Sequence, residues 1–203
     1  MSPSLILVAS FAATILLGTG ALMLPAMTAK GDISLIDALF TATSAVCVTG
    51  LVVVDTGSYF TLAGQWTILL MIQIGALGIL TFSTFFVLIL RGDTSLRGRM
   101  LIQETMTHFP YRNLLRLVYS VLLFTFIVEA VGAILLWLAF REQFGDVRSS
   151  YVALFHSISA FCNAGFSVLP RGMEDYPANV TINLTIMGLI IAGGIGFTVV
   201  TDI

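Results

Sequence analysis

The sequence predicts an all-α membrane protein built from two copies of a helix–pore-loop–helix unit. Two observations carry this expectation: apolar runs long enough to cross a bilayer, and an internal repeat. The chain is 58% hydrophobic and 10% charged, with a mean hydropathy of +1.02. Soluble domains carry roughly 25% charged residues, so too few charges are present here to cover a water-facing surface. Residues 1–29, 56–90 and 176–201 contain no Asp, Glu, Lys or Arg, and residues 117–140 contain only Glu129. Each run exceeds the roughly 20 helical residues needed to cross a hydrocarbon core of about 30 Å. The first run lacks a basic start and is too long in its apolar stretch for a signal peptide, so it reads as a span.

Charge position gives an orientation. Arg91, Arg97, Arg99, Arg112 and Arg116 cluster between the second and third spans, and positive charge at span ends marks the cytoplasmic side. Residues 91–116 and the N-terminus are therefore expected inside, and residues 25–55 and 141–179 outside. The formal net charge of −2 says little about partners. Lipid is the expected surrounding, and no nucleic acid is expected.

The repeat appears at an offset of 115 residues. Ala38, Leu39, Phe40, Ser44, Ala45, Cys47 and Gly50 match Ala153, Leu154, Phe155, Ser159, Ala160, Cys162 and Gly165 without a gap. With a three-residue gap, Gly75 and Gly78 match Gly193 and Gly196. Chance similarity of apolar segments does not account for Ser, Cys and Gly at fixed spacing. The first unit, residues 1–92, is expected to hold helices near 4–24, 35–46 and 62–90. A cytoplasmic linker follows over residues 93–113. The second unit, residues 114–203, is expected to hold helices near 114–140, 150–162 and 180–203.

The short middle segments are the informative part. Asp37 and Asp55 bracket an uncharged stretch of 17 residues, too short to cross and return as two helices. A re-entrant segment fits: in as a helix, back as extended chain. Irregular backbone at membrane depth survives only where protein or water satisfies its polar groups. Ser34 and Asp37 read as an N-cap with an acid at its third position. Ser149 is the corresponding cap expected in the second unit, with Val152 in place of the acid. Both short helices would start outside and point their C-termini inward. The negative ends of their dipoles would then favour cations at the membrane centre.

The loops carry a resemblance. Thr41-Ala-Thr-Ser-Ala-Val-Cys-Val-Thr-Gly-Leu-Val-Val-Val-Asp55 resembles the first pore loop of the Trk/Ktr/HKT potassium transporter superfamily, and Phe155-His-Ser-Ile-Ser-Ala-Phe-Cys-Asn-Ala-Gly-Phe-Ser167 resembles its second. Leu16-Leu-Gly-Thr-Gly20, Leu22-Met-Leu-Pro25 and Gly193-Gly-Ile-Gly-Phe-Thr198 are similar to the family as well, and within it to the Ktr-type membrane subunit. The resemblance implies a potassium-channel-like fold of M1-P-M2 repeats with reduced filter strands. It places Val48, Thr49, Gly50 and Leu51, and Asn163, Ala164, Gly165 and Phe166, in a selectivity filter. Backbone groups of Thr49, Gly50, Ala164 and Gly165 would there replace the hydration shell of K⁺. In plant relatives, serine at the first filter glycine accompanies sodium preference. Glycine stands at both positions here, which implies potassium.

The family uses four such units around one pore, and this chain has two. Its last helix also ends short by comparison with the first unit. The expectation is an incomplete transporter that supplies half of a pore. Two further units or a second copy of the chain would complete it, in a homodimeric transporter of the bacterial inner membrane. The resemblance further implies a cytoplasmic nucleotide-binding regulatory subunit as partner. No cofactor is expected beyond the transported K⁺.

Other residues keep two readings each. Glu129, midway along the third span, is either a functional intramembrane acid or a packing hydrogen bonder. His156 reads first as a helix-packing hydrogen bonder and second as a ligand. Gly75, Gly78, Gly193, Gly194 and Gly196 read as close-packing residues or hinges. Asp55 reads as a local cap or as a concentrator of cations. An intramembrane enzyme using His156 or Glu129 is the competing class, but no zinc motif, paired carboxylates or Ser/Lys pair supports it. A non-conducting accessory fragment is the third.

Overall fold

The structure, a computed structural model, describes residues 3–91 and 111–195. Its helices are α1 (Pro3–Leu22), α2 (Leu35–Val46), α3 (Thr56–Tyr59), α4 (Leu62–Arg91), α5 (Tyr111–Phe144), α6 (Asp146–Phe161) and α7 (Val180–Ile195), with a 3₁₀ turn at Pro25–Met27. Among the described residues there is no strand. One isolated antiparallel bridge joins Thr28 to Phe60. Most of the linker expected over residues 93–113, and the end of the last expected helix, lie outside the described residues. Gly196 lies there as well.

Among the described residues, two helices are long and apolar enough to cross a membrane, through Leu62–Ile79 in α4 and Val118–Phe144 in α5. Only 28% of the Val118–Phe144 stretch is buried. Phe126, Ile127, Val131 and Ile134 are all exposed on it. A helix that is apolar on its uncovered face is stable against lipid and not against water. The described parts of α1 and α7 add shorter apolar helices, Val8–Leu22 and Val180–Ile195.

Local chemistry sets the ends. The chain leaves α1 ahead of Pro25, whose ring disfavours helical backbone at the preceding residue, and Leu24 is extended there (φ −66°, ψ 135°). α2 starts at the expected cap: Ser34 Oγ accepts from the Asp37 N–H at 3.1 Å and donates to Asp37 Oδ2 at 2.8 Å. α5 runs past the expected end at residue 140. Arg141 lies in this extension, its guanidinium over the Trp137 ring, 5.8 Å from the centroid. Gly145, at φ +73°, then breaks the chain between α5 and α6.

That break corrects one expectation. Ser149 does not cap the second short helix. α6 begins a turn earlier at Asp146, with Gly145 as the N-cap and Asp146 as the acid of the first turn. Ser149 lies inside the helix, its N–H bonded to the Gly145 carbonyl at 3.1 Å and its side chain fully buried.

Helices α1, α2 and α4 pack on one another, and so do α5, α6 and α7. The two groups meet where α4 touches α5 and α6. Near the α4 N-terminus, the Gln65 amide donates to the carbonyls of Gly57 (3.0 Å) and Phe60 (2.9 Å) and accepts from the Tyr151 hydroxyl of α6 (2.7 Å).

Candidate functional site

The loops that follow α2 and α6 have the same backbone. Each short helix ends in a Schellman turn, in which the last orphan carbonyls are bonded by the next two N–H groups. After α2, the N–H of Val48 donates to Ala45 O (3.3 Å) and that of Thr49 to Ser44 O (3.0 Å). After α6, the N–H of Asn163 donates to Ala160 O (3.0 Å) and that of Ala164 to Ser159 O (2.7 Å). Val48 and Asn163 occupy the left-handed region at φ 57° and 58°, as do Gly50 and Gly165 at 74° and 71°. Asn tolerates that region, whereas a β-branched Val is strained in it.

The two glycines face each other. A Cβ on Gly50 would lie 2.8 Å from Ala164 O and 3.3 Å from the Cα of Gly165, and one on Gly165 would lie 3.2 Å from the Cα of Gly50. Positive φ and close approach both call for glycine here. The structure thus brings Thr49–Gly50 and Ala164–Gly165 together. The flanking residues diverge: Leu51 is exposed, while Phe166 is buried and its carbonyl accepts from Ser159 Oγ at 2.7 Å. Thr49 Oγ1 donates to Ser44 Oγ at 2.9 Å.

Long-helix glycines support the loops from behind. A Cβ on Gly75 in α4 would overlap Val46 O, and one on Gly193 in α7 would overlap Phe161 O. These are the last helical carbonyls of α2 and α6. Gly18 of α1 abuts Met71 of α4 in the way that Gly132 of α5 abuts Leu189 of α7. At Gly75 and Gly193 close packing is therefore the observed role.

His156 is committed to structure through both ring nitrogens. Nδ1 lies 2.8 Å from Val152 O, and Nε2 lies 2.8 Å from Ser167 Oγ. A carbonyl can only accept, so Nδ1 carries a proton. Packing is the reading that survives for His156. It also borders a cavity of about 270 Å³ between α6, α7 and the second loop, lined by Asn163, Phe166, Met173 and Ile190 among others. Asp55 caps α3: its Oδ1 accepts from Ser58 N–H (2.7 Å) and Ser58 Oγ (2.6 Å). Cys47 is exposed and Cys162 buried, both as free thiols. Among the described residues no group of three or more His, Cys, Asp and Glu could hold a metal ion.

Sequence reading missed three partners. Gln73, Gln65 and Tyr151 join the two helix groups. Gln73 and Gln65 are polar residues within an otherwise apolar span, and that was the available signal. The side-chain amide of Asn163 was missed too: it donates to Phe161 O and Ile190 O, each at 3.3 Å.

The family described as TrkH, cation transport protein, matches residues 1–203. The chain belongs to this Trk/Ktr family. Among TrkH-family relatives, the Ktr system potassium uptake protein B of Bacillus subtilis (strain 168) is 45% identical over 202 residues, covering 100% of this chain and 45% of the relative. The protein of the same name from Vibrio alginolyticus is 40% identical over 198 residues, 98% of this chain and 43% of the relative. The potassium/sodium uptake protein NtpJ of Enterococcus hirae is 36% identical over 204 residues, 100% of this chain and 45% of the relative. The chain thus spans a little under half the length of these curated relatives. Family membership and the two span-forming helices make it an integral membrane protein.

Proposed function

We propose that this chain supplies half of a potassium uptake pathway, with the loops after α2 and α6 as two strands of its selectivity filter. The observation that carries this reading is the opposition of Gly50 and Gly165, each at positive φ, with no room for a Cβ at Gly50 and tight space at Gly165. Such a loop presents carbonyl oxygens rather than side chains, the chemistry that replaces an ion's water shell. The relatives from B. subtilis and V. alginolyticus are named as potassium uptake proteins.

In this reading α1–α2–α4 and α5–α6–α7 are two M1-P-M2 units, with α2 and α6 as pore helices. The matching contacts of Gly75 with Val46 and of Gly193 with Phe161 support the equivalence. The carbonyl ends of α2 and α6 would stabilise a cation at the membrane centre. Two further units or a second copy of the chain complete the pore. The N-terminus lies in the cytoplasm, where a nucleotide-binding subunit would dock, and the membrane is the bacterial inner membrane.

The test is growth of a potassium-uptake-deficient bacterium at low K⁺ when the assembled transporter is supplied. Rescue is expected, and failure of a correctly inserted transporter to rescue would overturn the reading. The purified chain alone is expected to carry no selective flux. A robust K⁺ current from it would replace the half-pore with a pore made by two copies.

A further inference from the structure

Behind the second loop lies a polar cluster, buried at Glu129 and Cys162 and half-buried at Gln73, that the filter reading does not use. Gln73 Nε2 in α4 donates to both carboxylate oxygens of Glu129 in α5, at 3.0 and 3.3 Å. The thiol of Cys162 lies 3.9 Å from Glu129 Oε1 and 3.9 Å from Gln73 Oε1. Cys162 is the C-cap of α6, immediately before Asn163 and the left-handed turn. The backbone of Glu129 is engaged as well: its carbonyl accepts from Ser157 Oγ of α6 at 2.7 Å. One turn on, Gly132 lets α5 close on α6 and α7, since a Cβ there would lie 2.6 Å from Ser157 Oγ and 2.7 Å from Leu189 Cδ2.

We propose that Glu129 and Gln73 are a positioning pair that fixes the second loop against α4 of the first helix group and so sets the ion preference of the pathway. The inference rests on the filter reading above and assigns it two positioning residues outside the loops.

Two features separate this from ordinary helix packing. First, the pair is absent from the matching place in the other half. The contacts Gly18–Met71 and Gly132–Leu189 put Ile15 opposite Glu129, and Gly75 and Gly193 put Ile191 opposite Gln73. The packing of α1 on α2 and α4 is achieved with an isoleucine, so forming such a helix group does not require an acid. Second, the pair is directional. Glu129 is 3% exposed, and a carboxylate buried among apolar helices is tolerated only where specific donors meet it. Those donors come from α4 and from the residue that ends α6. Cys47, which matches Cys162, is exposed, with no such anchor among the described residues. The second loop is tied through Cys162 to the contact between α4 and α5, and the first loop has no matching side-chain tie among the described residues.

The experiment measures K⁺ against Na⁺ uptake by competition, together with thermal stability, in the assembled transporter. Gln73→Leu is expected to lower both stability and preference. The double variant Gln73→Leu/Glu129→Leu replaces the pair by apolar side chains, which is expected to restore stability. The K⁺/Na⁺ preference of that double variant is expected to stay shifted by about threefold. That factor corresponds to the ~0.6 kcal/mol of an average interhelical hydrogen bond in a membrane. Glu129→Gln keeps an acceptor for Gln73 and is expected to stay near wild-type preference. Wild-type preference in the double variant would overturn the proposal, because simple packing glue predicts that result. Loss of preference in Glu129→Gln would also overturn it, by showing that charge rather than hydrogen-bond geometry matters. If the double variant does not assemble, Gln73→Asn breaks the same bond by one methylene, and unchanged preference there counts against the pair. A wild-type transporter that takes up no K⁺ at all would instead sink the filter reading itself.

Discussion

Gly50 and Gly165 stand backbone to backbone, so close that a side chain on Gly50 would displace the second loop. The contact is unequal. The Cβ of residue 50 would press on a carbonyl oxygen at 2.8 Å, whereas that of residue 165 would meet a Cα at 3.2 Å and a carbonyl oxygen at 4.0 Å.

A graded outcome is therefore expected for serine substitution. Both Gly50→Ser and Gly165→Ser place an L-residue at positive φ, at a cost of roughly 1–2 kcal/mol. Gly50→Ser adds displacement of the Ala164 carbonyl, one of the proposed ion ligands. K⁺-over-Na⁺ preference in competition uptake should fall in both variants and fall further in Gly50→Ser. Unchanged preference in both would mean that the loops are not the filter.

The long-helix glycines offer a test on stability alone. Gly75→Ala and Gly193→Ala drive a methyl group into Val46 O and Phe161 O. Neither carbonyl can move without unwinding the end of a short helix. Overpacking of this kind costs about 1–3 kcal/mol, so melting of the detergent-solubilised protein should move down for each. Gly20 and Gly188 have nothing within 4 Å of a Cβ. Alanine there should instead leave stability unchanged or raise it, by up to about 1 kcal/mol. Equal effects at all four sites would contradict the packing described for Gly75 and Gly193.

These contrasts also mark what the sequence could reveal. α2 was legible to the residue, because Ser34, Asp37 and the apolar run are local signals. Gly50 and Gly165 were legible because the repeat aligned them. The same repeat misled at Ser149: it matches Ser34 in alignment, but Gly145 at φ +73° had already opened the helix a turn earlier. Gln73, Gln65 and Tyr151 act across the seam between helix groups. Gln65 and Gln73 mark a polar face of α4, but which residues of α5 and α6 meet that face is decided by packing.

His156 gives a third expectation. Its ring joins Val152 O within α6 to Ser167 Oγ beyond the loop, so it braces the return of the second strand. Removing it empties a buried ring site and takes one partner from Ser167 Oγ, which keeps its bonds with the Leu169 backbone; large-to-small changes of this kind cost about 2–5 kcal/mol. His156→Ala should lower the melting temperature. Ser167→Ala, which takes the partner from Nε2 and from the Leu169 N–H but opens less space, should lower it less. If His156 instead bound the transported ion, His156→Gln would change the apparent K⁺ affinity in uptake while leaving melting near wild type. The hydrogen bonds predict the reverse: melting falls and affinity holds.

Val48 and Asn163 adopt the same left-handed turn with different side chains, and that difference can be measured. Asn is suited to the conformation and gains bonds to Phe161 O and Ile190 O. Val carries the strain of a branched Cβ at φ 57°, of order 1–3 kcal/mol. Val48→Asn should therefore raise the melting temperature, by the equivalent of about 1 kcal/mol, even without matching acceptors. Val48→Gly should raise it too, but less, because glycine adds freedom to the unfolded chain. The reciprocal Asn163→Val should be strongly destabilising, since it introduces the strain and removes two bonds at once. Stability that is insensitive to Val48→Asn would mean that the first loop does not hold this turn. The Schellman geometry assigned to α2 would then fall with it.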